Sequence, residues 1–289
     1  MTIISSGICT PRNLSIDAKG SIHDDETARQ LGFRGGTVAG DIHLEQFGGI
    51  LLSAFGQQWF ETGSLSMYFM HATSDAEPVE ATLDTGDLSS PISNAQVTAH
   101  MHTPDGITVA EGTASVGSTN SPTALNARDR RFVDASQLKM LRHATSGRPL
   151  ETLTRQAQGA NQRLRHSRNI MTAPLDWYIG DSPWGGPICS PLTTCQLLVS
   201  GMTKSIEEEC GEFVGLYGAI EICHHRGPLM LDTDYTVTGR VLGVSDTPKT
   251  EVLWYTTEAR RANEPDSSPI ASLTMMTRLL KNSSPLYAS

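Results

Sequence analysis

The stretch Ala95-Gln-Val-Thr-Ala-His-Met-His102 alternates strictly, apolar at odd positions and polar at even ones. That period of two marks a strand with one buried face. Thr103-Pro-Asp-Gly106 places Pro and Gly where a tight turn needs them. Residues 108–117 return as the next strand, so 95–117 reads as a hairpin. Upstream, residues 42–55 are apolar on most faces, as a central buried helix should be, and Gly56 and Gly63 punctuate its end. Residues 64–72, short and aromatic-rich, and residues 79–83 suit strands. A second series follows in the same order. It has a helix over 192–202, an acidic turn at Glu207-Glu-Glu209, a strand over 215–223, and strands over 234–242, 251–260 and 270–280. Residues 119–183 join the two series. They open with Ser/Pro-rich coil and carry one or two short helices, 135–143 being the better candidate.

The two series share a start signal. The first helix is preceded by Gly20-Ser-Ile-His-Asp-Asp-Glu-Thr-Ala-Arg-Gln-Leu-Gly-Phe-Arg-Gly-Gly-Thr-Val-Ala-Gly40, the second by Trp184-Gly-Gly-Pro-Ile-Cys-Ser-Pro191. Placing Gly35-Gly36 on Gly185-Gly186 puts Gly40 on Ser190 and Asp41 on Pro191. Ser at an N-cap followed by Pro at the first helical position is a strong helix start, and Gly40-Asp41 is a weaker one. A helix wrapped by a mostly antiparallel sheet, made twice, is an α+β layout. The expected units are 1–118, a linker 119–183, and 184–289. A His precedes only the first helix, which points to one site, in the first half. The second half reads as structural, its helix forming one wall of a cleft that Trp177, Tyr178 and Trp184 either line or support from the core.

Length and composition narrow the class. With 289 residues, 38% hydrophobic and 18% charged, the chain can bury a sizeable core as a globular protein. No apolar run reaches the ~20 residues of a membrane span. The first fourteen residues lack the apolar core of a secretory signal. Five cysteines without C-x-x-C spacing argue against structural zinc and a disulfide framework, so a reducing, cytoplasmic compartment is expected. Cys189 and Cys195 read as small buried thiols. A net charge of −9 argues against nucleic acid. Residues 126–168 depart from that balance, with ten Lys/Arg against three acids. This stretch reads either as a solvated linker or as a basic rim for an anionic group such as the phosphates of a carrier-linked substrate. No Gly-x-Ser-x-Gly elbow, Walker loop or dinucleotide fingerprint is present.

Ile-His, an acidic cluster, Ala, Leu-Gly-Phe-Arg-Gly, and then Gly at a helix start together resemble the MaoC-like family, the R-specific enoyl-CoA hydratases and dehydratases. The motif covers residues 17–47. The resemblance implies a double hot dog, in which each half lays a long helix in a curled antiparallel sheet and one half works. It implies His23 in the place of the family's catalytic His and Gly40 as the oxyanion-holding amide. It also makes Asp17, one residue further from His23 than the family Asp, the counterpart of that carboxylate. Ala39 stands where the family has a His before the oxyanion Gly. No cofactor or metal is implied. The partner is a small acyl or polyketide-like substrate, CoA- or carrier-linked, with neither nucleic acid nor membrane involved. A homodimer is compatible with this reading.

Chemistry beside a thioester carbonyl needs a base, a group for water or its proton, and a holder for the enolate-like oxygen. A helix N-terminus serves the last role because its dipole favours negative charge. Asp41 and His43, at the helix start, are further candidates. Asp24, Asp25 and Glu26 read as caps of a short helix. Three functions fit: a hydratase or dehydratase; an isomerase or cyclase, which needs only a base and an oxyanion hole; and a hot dog that binds an apolar ligand without turning it over.

Overall fold

The computed structural model describes residues 2–88 and 91–288. In chain order the elements are β1 (Thr2–Cys9), α1 (Asp25–Gln30), α2 (Gly40–Leu44), α3 (Gly48–Phe55), α4 (Gln58–Thr62), β2 (Gly63–Phe69), β3 (Val79–Gly86), β4 (Ala95–His102) and β5 (Thr108–Val116). They continue with α5 (Ala124–Ala127), β6 (Leu153–Arg155), α6 (Gly159–Ser167), α7 (Pro191–Val199), α8 (Lys204–Cys210), β7 (Gly215–His224), β8 (Tyr235–Asp246), β9 (Thr250–Arg261) and β10 (Ala271–Leu280). The ten strands form one sheet in the order β1-β3-β4-β5-β2-β7-β10-β9-β8-β6. Read outward from the β2–β7 junction, the order is the same on both sides once β5 is matched to β10, β4 to β9, β3 to β8 and β1 to β6. This is the duplicated α+β architecture expected from the sequence. The two helical segments that follow the Gly-Gly turns, α2–α3 and α7, belong to the two halves, and α2 packs against α7.

The alternation over 95–102 is realised in β4, where Val97, Ala99 and Met101 are buried. The 95–117 hairpin pairs β4 with β5 in regular register until Met101. Two edge strands have no counterpart in the sequence reading. One is β1, paired with β3. The other is β6, three residues within 119–183, paired with β8 at the far edge. The first helix is also not continuous. It runs as α2, a 3₁₀ turn over Glu45–Phe47, and α3. At the break Tyr178 packs so closely on Gly48 that a Cβ there would collide with its hydroxyl. Glu45 meanwhile reaches out of the turn to the start of α7. The helix is therefore tightened where it must fit between other groups.

Two local expectations are corrected. Glu207-Glu-Glu209 is not a turn but the body of α8. Residues 135–143 form only one 3₁₀ turn, Ala135–Gln137. The reason is Glu251, fully buried on β9. Its carboxylate accepts from the backbone N–H groups of Lys139 (2.9 Å), Met140 (3.1 Å) and Leu141 (2.8 Å), and from the Tyr287 hydroxyl. Amides gathered around one carboxylate cannot also make helical bonds. Among the described residues no helix is long and apolar enough to cross a membrane.

Removing that carboxylate strands three amides, at about 1–3 kcal/mol for each orphaned group. We therefore expect Glu251→Ala to lose about 3 kcal/mol or more of stability in denaturant unfolding, with Glu251→Gln in between. A Glu251→Ala midpoint equal to that of the native protein would refute this account.

Candidate functional site

The lead-in to α2 is built to hold His23. Asp24 caps α1, accepting from the Thr27 N–H (3.0 Å) and hydroxyl (2.7 Å). Asp25 reaches back to the Gly-Gly turn and accepts from the Gly36 N–H at 2.8 Å. That turn lies against the His23 backbone so tightly that a Cβ on Gly36 would collide with the His23 carbonyl oxygen. The same oxygen accepts from Asn13 Nδ2 at 2.8 Å. Thr37 N–H donates to the Ile22 carbonyl (2.9 Å), and Val38 N–H to the Thr73 carbonyl (2.9 Å). His23 Nδ1 lies 2.7 Å from the carbonyl oxygen of Thr37. A carbonyl can only accept, so Nδ1 donates in this contact, and Nε2 makes no hydrogen bond to a described residue.

His23, Gly40 and His43 line one cavity of about 1120 Å³. Gly40 is the first residue of α2, and its N-cap Ala39 offers no side-chain acceptor. A Cβ at Gly40 would lie 2.5 Å from the ring of Phe69, so only glycine lets that ring cover the helix start. His43 is buried with Nε2 2.9 Å from the Thr73 hydroxyl, while Nδ1 has no partner. Burial pushes its pKa down to about 4, so the ring is neutral near pH 7.

The two candidate carboxylates lie elsewhere. Asp17 is exposed in the turn that follows Asn13, and it is not among the cavity residues. Asp41 is buried, accepts from the Ile42 N–H at 3.0 Å, and does not line the cavity. Burial pushes its pKa up to about 6, against the pull of its backbone hydrogen bonds and of Arg165.

The second half contributes differently from expectation. No α7 residue lines the large cavity. Trp177 and Trp184 pack edge to face with each other (5.7 Å) and against Phe60, and Tyr178 is fully buried. The cavity's second-half wall comes instead from α8, β7, β8, β9 and β10, including Glu207, Tyr217 and Arg278. The basic segment after β5 also reaches it. Arg128 lies 3.6 Å over the Tyr68 ring and Arg130 4.8 Å from the Trp254 ring. Sequence inspection could find the basic stretch, but not that it meets Lys249 and Arg278 at one mouth.

The start of α7 is closed. Ser190 caps it, and Glu45 Oε2 accepts from the Leu192 N–H and the Ser190 hydroxyl, each at 3.0 Å. Burial pushes the Glu45 pKa up to about 7 despite those bonds. Cys189 and Cys195 are buried free thiols, held protonated by burial. Among the described residues no group of three or more His, Cys, Asp or Glu could hold a metal.

No family model and no curated protein matches the chain. Solved structures do. One described as a MaoC domain protein dehydratase from Chloroflexus aurantiacus superposes with a TM-score of 0.60 at 13% identity, covering 96% of this chain and 94% of the other. A Mycobacterium tuberculosis protein described as having a double hot dog fold gives 0.60 at 10% identity, covering 96% and 95%. The fold is a double hot dog. A third structure, described as a MaoC-like dehydratase, gives 0.55 at 10% identity over 96% and 97%. At such identities the likeness is one of fold, and the chemistry rests on the residues of this hot dog.

Asp41 and Glu45 titrate higher folded than at their ordinary values of 3.8 and 4.5. Each therefore gives stability that is complete below the unfolded value and lost as pH rises through about 6 and about 7. Glu45→Gln keeps the acceptor oxygen without the charge. We expect it to match the native protein at pH 4 and to exceed it at pH 8 by up to about 3 kcal/mol. Thermal unfolding of both proteins over this range checks the sign. Opposite behaviour, with the variant weaker at pH 8, would mean that the charge itself holds α7.

Proposed function

We propose that this protein is an enzyme of the hydratase/dehydratase type, acting at the carbon beside the carbonyl of an acyl thioester or similar substrate. The observation that carries the reading is the His23 tautomer. Its Nδ1–H is committed to the Thr37 carbonyl, which leaves Nε2 free as a base in the cavity that also holds the start of α2. His23 removes or returns the α-proton, and the Gly40 N–H receives the negative charge that develops on the carbonyl oxygen. A volume of about 1120 Å³ is ample for an acyl chain with a long handle. Arg128, Arg130, Arg131, Lys249 and Arg278 outnumber Asp129, Glu207 and Asp246 around it, which favours an anionic handle such as that of CoA or a carrier arm.

The positions of Asp17 and Asp41 favour a second reading. Neither lines the cavity with His23, and hydration needs a further group to manage water. Isomerisation or cyclisation needs only the base and the oxyanion holder.

Incubation with crotonyl-CoA in D₂O tests both. Hydration gives a 3-hydroxyacyl product, whereas isomerase-type chemistry removes a proton from C4 of the crotonyl chain and returns deuterium from solvent at C2 or C4 without adding water. His23→Ala should lower whichever rate is seen by about 10²- to 10⁴-fold. Acyl-CoA binding with neither reaction would replace the enzyme with a ligand-binding hot dog.

A further inference from the structure

The second half supplies a residue to the site that none of the motifs marks. In a regular strand, residues two apart share a face. On β7, however, Ala219 packs in the outer cluster with Trp254 and Met276, while Tyr217 packs on the inner, helix-side core. The switch occurs at Gly218. Met276 pairs with Ala219, but its neighbour Thr277 pairs with Tyr217, leaving Gly218 as an extra residue on β7. This is a β-bulge, a device that re-aims a side chain and recurs next to active sites. Glycine leaves room there for the Met276 Cε and the Arg278 side chain, which a Cβ at 218 would displace.

The re-aimed side chain has an unfilled hydrogen-bonding role. Tyr217 lines the large cavity with His23 and Gly40, and also the adjoining chamber of about 160 Å³ beneath α8. Its hydroxyl has no protein partner among the described residues, yet it is not sealed off as the unpartnered Tyr178 hydroxyl is. The groups around it are Asp41, Cys195, Tyr255 and Glu207. Burial, and then Asp41, raise its pKa, so it remains a neutral O–H donor.

We propose that Tyr217 is a catalytic residue of the His23 site, donating a hydrogen bond from its hydroxyl to an oxygen of the bound substrate. This rests on the enzymatic reading above. It adds a hydroxyl donor to a cavity that Asp17 and Asp41 do not line, and it makes the site a joint product of both halves. The donor's chemistry selects a substrate with an oxygen at the reacting end, a thioester carbonyl or an adjacent hydroxyl.

The test uses the whole protein and acetoacetyl-CoA, which resembles the enolate and cannot be dehydrated. Tyr217→Phe keeps the ring and removes the donor. Its melting temperature should match that of the native protein, while its affinity for acetoacetyl-CoA falls about five- to tenfold, the worth of one hydrogen bond. In protein labelled with ¹³Cζ-tyrosine, the resonance missing from the variant should shift when the native protein binds. Unchanged affinity in Tyr217→Phe would overturn the proposal and leave the His23 reading standing. Failure of the native protein to bind the probe would overturn both.

Discussion

Pairing between β2 and β7 is the interaction on which the rest of this molecule depends. It joins two five-stranded sheets into one, and it lasts only from Ser64 opposite Cys223 to Tyr68 opposite Ala219. Beyond that point the strands part. Backbone that leaves a ladder must end near solvent, another partner or a ligand, and here both diverging ends border the cavity. Phe69 turns inward over the start of α2. Tyr68, one residue earlier and on the opposite face, lies outside between Arg128 and Arg278. Phe69 and Met70 on one side, and Tyr217 and Gly218 on the other, line the cavity just where this pairing ends.

The two helix starts show how a duplicated fold becomes one-sided. Each start presents N–H groups without partners inside its helix. At α7 those groups are taken by the Ser190 cap and by Glu45, a carboxylate delivered from the other half. At α2 the cap position is Ala39, which offers no acceptor, and Asp41 takes the Ile42 N–H from outside the cavity. Glu45 is costly to bury, as its raised pKa records, but in its place the second helix needs no outside anion. The 3₁₀ turn in the first helix is the backbone geometry that brings Glu45 there.

The sequence exposes some of this and hides the rest for physical reasons. Period-two alternation is a local property, so β4 and β5 could be read directly. The Gly-Gly register placed the helix starts to within one residue, Ser190 capping α7 as read but Ala39 rather than Gly40 capping α2, and in the first half glycine is required by a local close approach, Gly36 against the His23 carbonyl. The edge strand β6 has three residues, too few for any period to show. Residues 135–143 carry a helical pattern, but their conformation is decided by Glu251, over a hundred residues away. Tyr217 is the clearest case. Its direction follows from a bulge that exists only once β7 pairs with β10, and a lone Gly218 in a strand signals that a bulge is allowed, not where the flanking side chain points.

Electrostatics decides what kind of proton transfer such a site can support. His23 is held by the Thr37 carbonyl, a neutral dipole, where a carboxylate would raise its basicity and balance the imidazolium it forms. Asp17 is exposed and Asp41 is committed to the Ile42 amide, so neither candidate carboxylate holds the His23 ring. On the proposed reading, the proton taken by His23 faces the negative oxygen at the α2 start. An ion pair of this kind is stable only while both members stay close, and it collapses fastest when the proton returns to the same molecule. On the proposed reading, the water that a family carboxylate would activate has to be held by neutral groups of the cavity, such as His43, whose ring burial keeps uncharged.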